Sequence, residues 1–258
     1  MSFKSWQSFR QFREKIYSKT RFVYDDETMS FIDEIIDTSK YRIAKLLEGK
    51  ILWRAQIGAE NEARVIYDDD DNPISIESEP YLPVRMYPRS NLATEGRVNP
   101  KGIPYLYLAT DRETAMSECR PNIGTKISVG KFKIIRSLNI VDCSMNHASE
   151  DQIFYNIDTG WYEPDEAERE KAVWTDIDKA FSIPVNPNED KAQYAPTQVI
   201  AEVFKSCGYD GIAYKSRLGK GCNIALFNAQ DTELLKRYVF EVKDLNFEFE
   251  EVRSINLG

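Results

Sequence analysis

The chain has 258 residues, enough to bury one sizeable core or a core with a helical appendage, and its 42% apolar and 29% charged residues exclude general disorder and fibrous repeats. A net charge of −8 argues against broad nucleic-acid binding, which needs basic surface to displace counterions from phosphates. No apolar run approaches the roughly 18 to 20 residues that cross a bilayer, the N-terminus lacks an apolar signal core, and Cys119, Cys143, Cys207 and Cys222 form no C-x-x-C pair, so a cytoplasmic protein with reduced thiols and no membrane attachment is expected.

Phe3, Trp6, Phe9, Phe12 and Ile16 recur three or four apart, which predicts an amphipathic helix over 3–17 with one side packed on something else. Lys4, Arg10, Arg13, Lys15 and Lys19 stand against Glu14 alone there, a pattern read as a solvated basic face. A second helix is expected from about 27 to 48, with Asp25 and Asp26 as caps, an apolar stripe at Ile32, Ile35, Ile36, Ile43, Leu46 and Leu47, and Gly49 as its stop. Together they make a helical N-terminal extension over 1–50, ahead of a main domain over 51–258.

From Ile51 the pattern changes to short β-type runs: "ILWRAQI", "IPYLYLA", "TKISVGKFKII", "LNIVDC", "DGIAY" and "NIALF". Helices are expected between them, at 111–120, 164–181 and 196–207, the last opening on Pro196 and stopping at Gly208. Strands alternating with helices in this way define an α+β domain. Residues 58–95, polar and proline-rich, read as a long insertion with little regular structure. The acidic run Asp68 to Asp71 lacks the glycine and terminal glutamate of a calcium loop and reads as a solvated turn.

Several chemistries lack their parts. His147 is the sole histidine, in the polar loop "SMNHASED", where it reads as a surface residue; zinc hydrolysis and histidine-based triads are therefore set aside and no metal is expected. "GKGCN" is too short for a phosphate-cradling P-loop, and "GYDG" is not the dinucleotide fingerprint. What remains is arginine, carboxylate, tyrosine and hydroxyl chemistry. Arg54 in "ILWRAQI" either points its guanidinium into a pocket or sits on an edge strand in a surface ion pair. Glu118 lies near the end of the 111–120 helix, where a lone glutamate ordinarily faces water.

Five pieces in order resemble the RES domain, a family of bacterial toxins named for its arginine, glutamate and serine: "LWRAQ" at 52–56, "GRVNPKG" at 96–102, "YLYLATDRETAMSE" at 105–118, "APTQVIAEVFKSCGYDGIAYKS" at 195–216 and "GCNIALF" at 221–227. The resemblance implies a split β-core related to ADP-ribosylating toxins, with NAD lying across its cleft as substrate and no resident cofactor. It implies cleavage of the nicotinamide N-glycosidic bond by phosphorolysis, with inorganic phosphate as co-substrate, or by hydrolysis. Carried over residue by residue, it makes Arg54, Glu118 and Ser216 the catalytic trio, puts Tyr107 beside the nicotinamide, has Arg97 and Asn99 shape the cleft, and adds Tyr105 and Asn223 to the substrate-binding set.

These residue types suit that chemistry. Positive charge develops on the sugar as the glycosidic bond breaks, and a carboxylate meets it; the pyrophosphate calls for a guanidinium fork; an aromatic face stacks on nicotinamide; a hydroxyl donates to phosphate or ribose. Tyr105 and Tyr107 share one face of their strand, so either is open to a core role, and Ser216 before "RLGKG" also reads as a turn former. The helical pair at 1–50, the 58–95 insertion and the acidic segments around 150–190 depart from the shorter toxins and leave room for gating. The family also implies a partner antitoxin with a helix-turn-helix domain. Two other classes stand beside this reading: a protein ADP-ribosyltransferase using the same NAD site, and a non-enzymatic or HEPN-type module, for which His147 lacks an arginine four to six positions before it.

Overall fold

The computed structural model describes residues 3–60, 63–69, 72–89, 92–147, 154–156, 158–183 and 191–246. The N-terminal stripe forms α1 (Ser8–Ser18), which buries Phe9, Phe12 and Ile16. Helix α2 (Asp26–Ser39) starts where the Asp25 carboxylate accepts the Thr28 N–H at 2.8 Å, satisfying one of the N–H groups that the first turn leaves unpaired. The basic face of α1 is solvated, with Lys4, Arg10, Arg13 and Lys19 exposed, and in part paired: Arg10 meets Asp176 at 2.8 Å, and Lys15 meets Asp25 and Glu27.

The second helix is shorter than its periodicity suggests. It ends at Ser39, passes through one 3-10 turn at Lys40–Arg42, and becomes a strand, β1 (Ile43–Leu46). Leu46 points inward, whereas Ile43 and Leu47 are exposed. The apolar spacing at 43, 46 and 47 is as compatible with a strand end and a turn as with a helix, and pairing with a strand nearly 100 positions away decides it.

The six β-type runs become β2 (Ile51–Ile57), β5 (Leu106–Ala109), β6 (Lys126–Ile134), β7 (Leu138–Asp142), β10 (Gly211–Lys215) and β11 (Cys222–Leu226). The 58–95 stretch is more ordered than its composition predicts: β3 (Ala63–Tyr67) and β4 (Pro73–Ser78) pair as a hairpin, and α3 (Pro83–Met86) plugs Met86 into the core. In the hairpin turn the Asp68 carboxylate accepts the Asn72 N–H at 2.8 Å; Asp70 and Asp71 lie outside the described residues. The expected helices are α4 (Arg112–Glu118), α5 (Glu166–Ser182) and α6 (Ala195–Ser206). A small hairpin, β8 (Tyr155–Asn156) with β9 (Gly160–Trp161), precedes α5, and β12 (Thr232–Glu241) adds an unanticipated edge strand against β6.

Eight strands form one sheet in the order β1-β7-β10-β11-β5-β2-β6-β12, antiparallel except for β10 beside β7. This sheet cannot be flat. A link of residues 47–50 joins β1 to β2, and 135–137 joins β6 to β7, each across five positions of the strand order. Five positions span ~24 Å at ~4.8 Å per strand, whereas such links reach only ~14–18 Å at ~3.6 Å per residue. The sheet therefore curls until its halves face each other, enclosing Leu46, Leu52, Leu106, Leu108, Phe132 and Ile140 in one cluster. Its outer face, at β7, β10 and β11, packs Val141, Ile212, Tyr214 and Ala225 against α1, α2, α5 and α6 through Phe12, Phe31, Trp174 and Phe204. The N-terminal helices thus share the main core. The sheet has one thin seam: β2 and β5 are joined at a single residue pair, Trp53 with Ala109.

Candidate active site

The expected residues collect on the two sides of that seam. Asp111 caps α4 by accepting the Thr114 N–H at 2.7 Å, and the helix runs to its last residue, Glu118. Its carboxylate turns inward. Oε1 accepts the Ser216 hydroxyl at 2.7 Å and the Asn223 side-chain amide at 2.6 Å, and Oε2 lies 3.7 Å from Arg97 Nη2. Ser216 follows β10 and Asn223 sits on β11, so neighbouring strands hold one oxygen of a helix glutamate in place. Ser216 also accepts the N–H groups of Leu218 and Gly219, at 3.1 and 3.0 Å, and so shapes the turn as well as orienting the carboxylate.

Arg97 is positioned by the "GRVNPKG" loop. The Asn99 amide donates to the carbonyls of Thr94, Pro100 and Ile103 at 2.9, 3.1 and 2.9 Å, which closes the loop on itself. The Tyr107 hydroxyl donates to Asn99 Oδ1 at 2.7 Å and accepts the Val98 N–H at 3.1 Å. From α6, Thr197 donates to the Arg97 carbonyl at 2.6 Å, and Gln198 donates to the Gly96 and Asn99 carbonyls at 2.8 and 3.2 Å. A side chain at Gly96 would bring its Cβ to 2.7 Å from both Asn99 Oδ1 and the Tyr107 hydroxyl, so only glycine admits this close approach. The Arg97 guanidinium donates to the Phe181 carbonyl at 3.2 Å and lies 5.7 Å from the centre of the Tyr214 ring.

Across the seam, Arg54 stands on β2, an interior strand, and makes no ion pair among the described residues. Its Nε and Nη1 are buried without a hydrogen-bond partner. Burial lowers its pKa to about 10, with the Cys119 thiol and Tyr107 phenol opposing the shift. A buried guanidinium left unpaired is costly, and an anionic ligand is the usual compensation. Burial raises Cys119 to about 11 and Tyr214 to about 12, and raises Tyr107 further, so all three stay protonated at neutral pH. A cavity of about 240 Å³ opens beside Arg54, walled by Tyr107, Tyr105 and Asn99. Tyr105 shares the face of Tyr107 but is 3% exposed, with its ring 5.0 Å from Phe227 and the Lys205 ammonium 5.0 Å from its centre, so most of it is core.

His147 is not the free surface residue its loop suggests. Nδ1 lies 2.8 Å from the carboxylate of Asp178, which is buried on α5 and whose pKa burial raises despite the histidine. It joins none of the hydrogen bonds around Glu118. All four cysteines are free thiols. Thr197, Gln198 and Tyr214 were missed from the sequence. The trace they leave is two polar residues on the buried stripe of α6, in step with Ala201 and Phe204, and a buried tyrosine on β10 two positions before Ser216.

On this α+β scaffold a carboxylate clamped by Ser216 and Asn223 beside Arg97 is joined by a second arginine, Arg54, whose Nε and Nη1 are buried without a partner. The RES domain family matches residues 76–250, more than half of the chain, and the chain belongs to that family. The matched stretch contains Arg97, Asn99, Tyr105, Tyr107, Glu118, Ser216 and Asn223; Arg54 lies before it. Among solved structures, the chain is similar to one described as the crystal structure of the M. tuberculosis MbcT-MbcA toxin-antitoxin complex, at 11% identity and a TM-score of 0.40, over 81% of this chain and 94% of that one. No curated protein matches it significantly. Among the described residues, no helix is long and apolar enough to cross a membrane.

Proposed function

We propose that this chain cleaves the bond between nicotinamide and ribose in NAD, with Glu118 as the carboxylate that meets the positive charge developing on the sugar. The observation that carries this reading is the fixing of Glu118 Oε1 by Ser216 and Asn223 within reach of Arg97, together with the buried, unpartnered Nε and Nη1 of Arg54. A carboxylate held by preset donors needs no reorganisation when the charge appears. Membership of the RES family supports the same chemistry, as does its implied kinship with the split β-core of ADP-ribosylating toxins.

In this mechanism Arg54 and Arg97 hold the pyrophosphate, and the Tyr107 ring borders the nicotinamide. The C1′–N1 bond breaks with its electron pair passing to the ring nitrogen, so the positively charged pyridinium leaves as neutral nicotinamide without needing a proton. The nucleophile, water or phosphate, forms the new bond at C1′ and gives up its proton to Glu118 or to solvent. A protein antitoxin carrying a helix-turn-helix domain belongs to the same family reading.

The test is NAD loss by purified protein with and without phosphate, with nicotinamide and ADP-ribose products separated by chromatography. Turnover that disappears in Glu118→Gln and Arg54→Ala supports the assignment, and a phosphate requirement identifies the nucleophile. Nicotinamide dinucleotide left intact in every sample of folded protein, with or without a 2′-phosphate, refutes it and moves the site to transfer onto a protein acceptor or to binding alone.

A further inference from the structure

The cavity beside Arg54 carries more positive charge than cleavage at Glu118 requires. Three guanidinium-bearing residues line it: Arg54 from β2, Arg85 from α3 and Arg89 just beyond. None of the described residues lining it is an aspartate or glutamate, in a chain with 42 acidic residues against 34 basic ones. Such a local excess of one sign calls for a strongly anionic occupant. Its volume, about 240 Å³, falls below the ~300–1,000 Å³ of pockets that enclose a whole drug-sized ligand, so it takes the phosphorylated part of a larger molecule and leaves the rest outside.

This wall is built. The Arg85 guanidinium lies 3.4 Å from the centre of the Tyr81 ring, and its backbone carbonyl accepts the Gln56 side-chain amide at 2.9 Å. Tyr81 is tied to β2 and β6 by its hydroxyl on the Ile57 carbonyl and its N–H on Ser128 Oγ, both at 3.0 Å. Arg237 donates to the carbonyls of Pro80 and Tyr81 at 3.1 and 2.8 Å. The segment carrying Arg85 is thus fastened to the sheet beside Arg54, whose Nε and Nη1 have no partner. The cavity shares Tyr107 and Asn99 with the network that positions Arg97, so it adjoins the Glu118 centre.

With the pyrophosphate assigned to Arg54 and Arg97, Arg85 and Arg89 are surplus. In doubly wound dinucleotide sites a carboxylate receives the free ribose 2′-hydroxyl and arginine a 2′-phosphate, and the physical reason holds on any fold: a guanidinium fork suits a phosphate dianion, which a carboxylate repels. Here the arginines are present and the carboxylate is missing. We infer that the substrate is a nicotinamide dinucleotide bearing a 2′-phosphomonoester, NADP in preference to NAD, with Arg85 and Arg89 as its specificity-determining residues. This rests on the NAD-cleaving reading for the reaction, but the phosphate site itself is testable without turnover.

The experiment uses the full chain, compared with an Arg85→Gln/Arg89→Gln double variant, whose substituted side chains are exposed, after matched melting curves show both folded. Calorimetry with adenosine 2′,5′-bisphosphate, 5′-AMP and inorganic phosphate reads binding; kcat/KM for NADP and NAD reads selectivity. The expected result is bisphosphate binding at least tenfold tighter than 5′-AMP, a similar preference in kcat/KM for NADP, and both ratios falling towards one in the double variant. Equal binding of the bisphosphate and 5′-AMP overturns the inference, as does inorganic phosphate binding as tightly as the bisphosphate. NAD cleavage without a preference sinks this inference alone. A bisphosphate preference without cleavage of either dinucleotide keeps the phosphate site and removes the catalytic reading.

Discussion

Replacing Tyr107 with phenylalanine keeps the ring that borders the cavity and removes only the oxygen that pins the Arg97 loop. Two groups lose their partner: Asn99 Oδ1, which accepts the hydroxyl at 2.7 Å, and the Val98 N–H, which donates to it at 3.1 Å. Both residues are at most 3% exposed, so water does not readily replace the oxygen. An orphaned buried polar group costs about 1–3 kcal/mol, which for two sums to about 2–4 kcal/mol after partial relaxation. Burial holds the phenol protonated well above its usual range, so the loss should be the same at pH 6 and pH 9. In urea unfolding the midpoint should fall at unchanged slope, with a melting temperature roughly 5–10 °C lower. Tyr105→Phe is the control: with no hydroxyl partner among the described residues, it should move stability by less than about 0.5 kcal/mol. The reasoning fails if Tyr107→Phe lies within about 0.5 kcal/mol of the parent, or if the two variants lose stability equally.

Ser216→Ala should lower kcat roughly 10–10²-fold, because the hydrogen bond that positions the charged Glu118 carboxylate is worth about 1.5–3 kcal/mol, with a further loss of stability from the freed Leu218 and Gly219 N–H groups; an unchanged kcat would show that Glu118 needs no hydroxyl. Phe12→Ala should cost about 3–5 kcal/mol within a single unfolding transition, because Phe12 is 2% exposed and stacks on Phe31 at 4.5 Å; a separate early transition would mean that the N-terminal helices fold apart from the sheet. Iodoacetamide at pH 8 should modify the exposed Cys207 first. With its thiol pushed up to about 11, Cys119 has roughly a thousandth of its population as thiolate there, and its labelling should climb with pH towards that value; rapid Cys119 labelling at pH 8, read by peptide mass spectrometry, would contradict the burial that also surrounds Arg54.

Local features were the readable part of this fold. Asp25 and Asp111 announce their helices because capping is settled within three residues, and the short β-type runs "ILWRAQI" and "NIALF" mark strands wherever they end up in the sheet. Residues 43–47 misled because helical and strand spacings coincide over so short a run, and only the distant Leu138–Asp142 strand separates them. The hairpin at 63–78 hid behind polar turn residues, and β12 behind the charged and exposed positions of an edge. At the site, Glu118 alone read as a solvent-facing helix residue. What turns it inward is supplied by Ser216 and Asn223, roughly 100 positions later, a contact that no local pattern encodes. Arg54 was ambiguous for the same reason, since interior or edge is a property of the whole strand order.

The strand order also has a bearing on synthesis. β10 and β11 lie in the middle of the sheet, between β7 and β5, yet they are made after both of those neighbours. A nascent chain that has emerged only through α5 has a gap where they belong, and Glu118 has neither of its two clamping partners. Pairings so distant in sequence form late in any case, because their loops must close first. A ribosome making this protein therefore leaves Glu118 unclamped until Asn223 has been added, which gives anything that recognises the earlier helices time to reach the chain before the site is assembled.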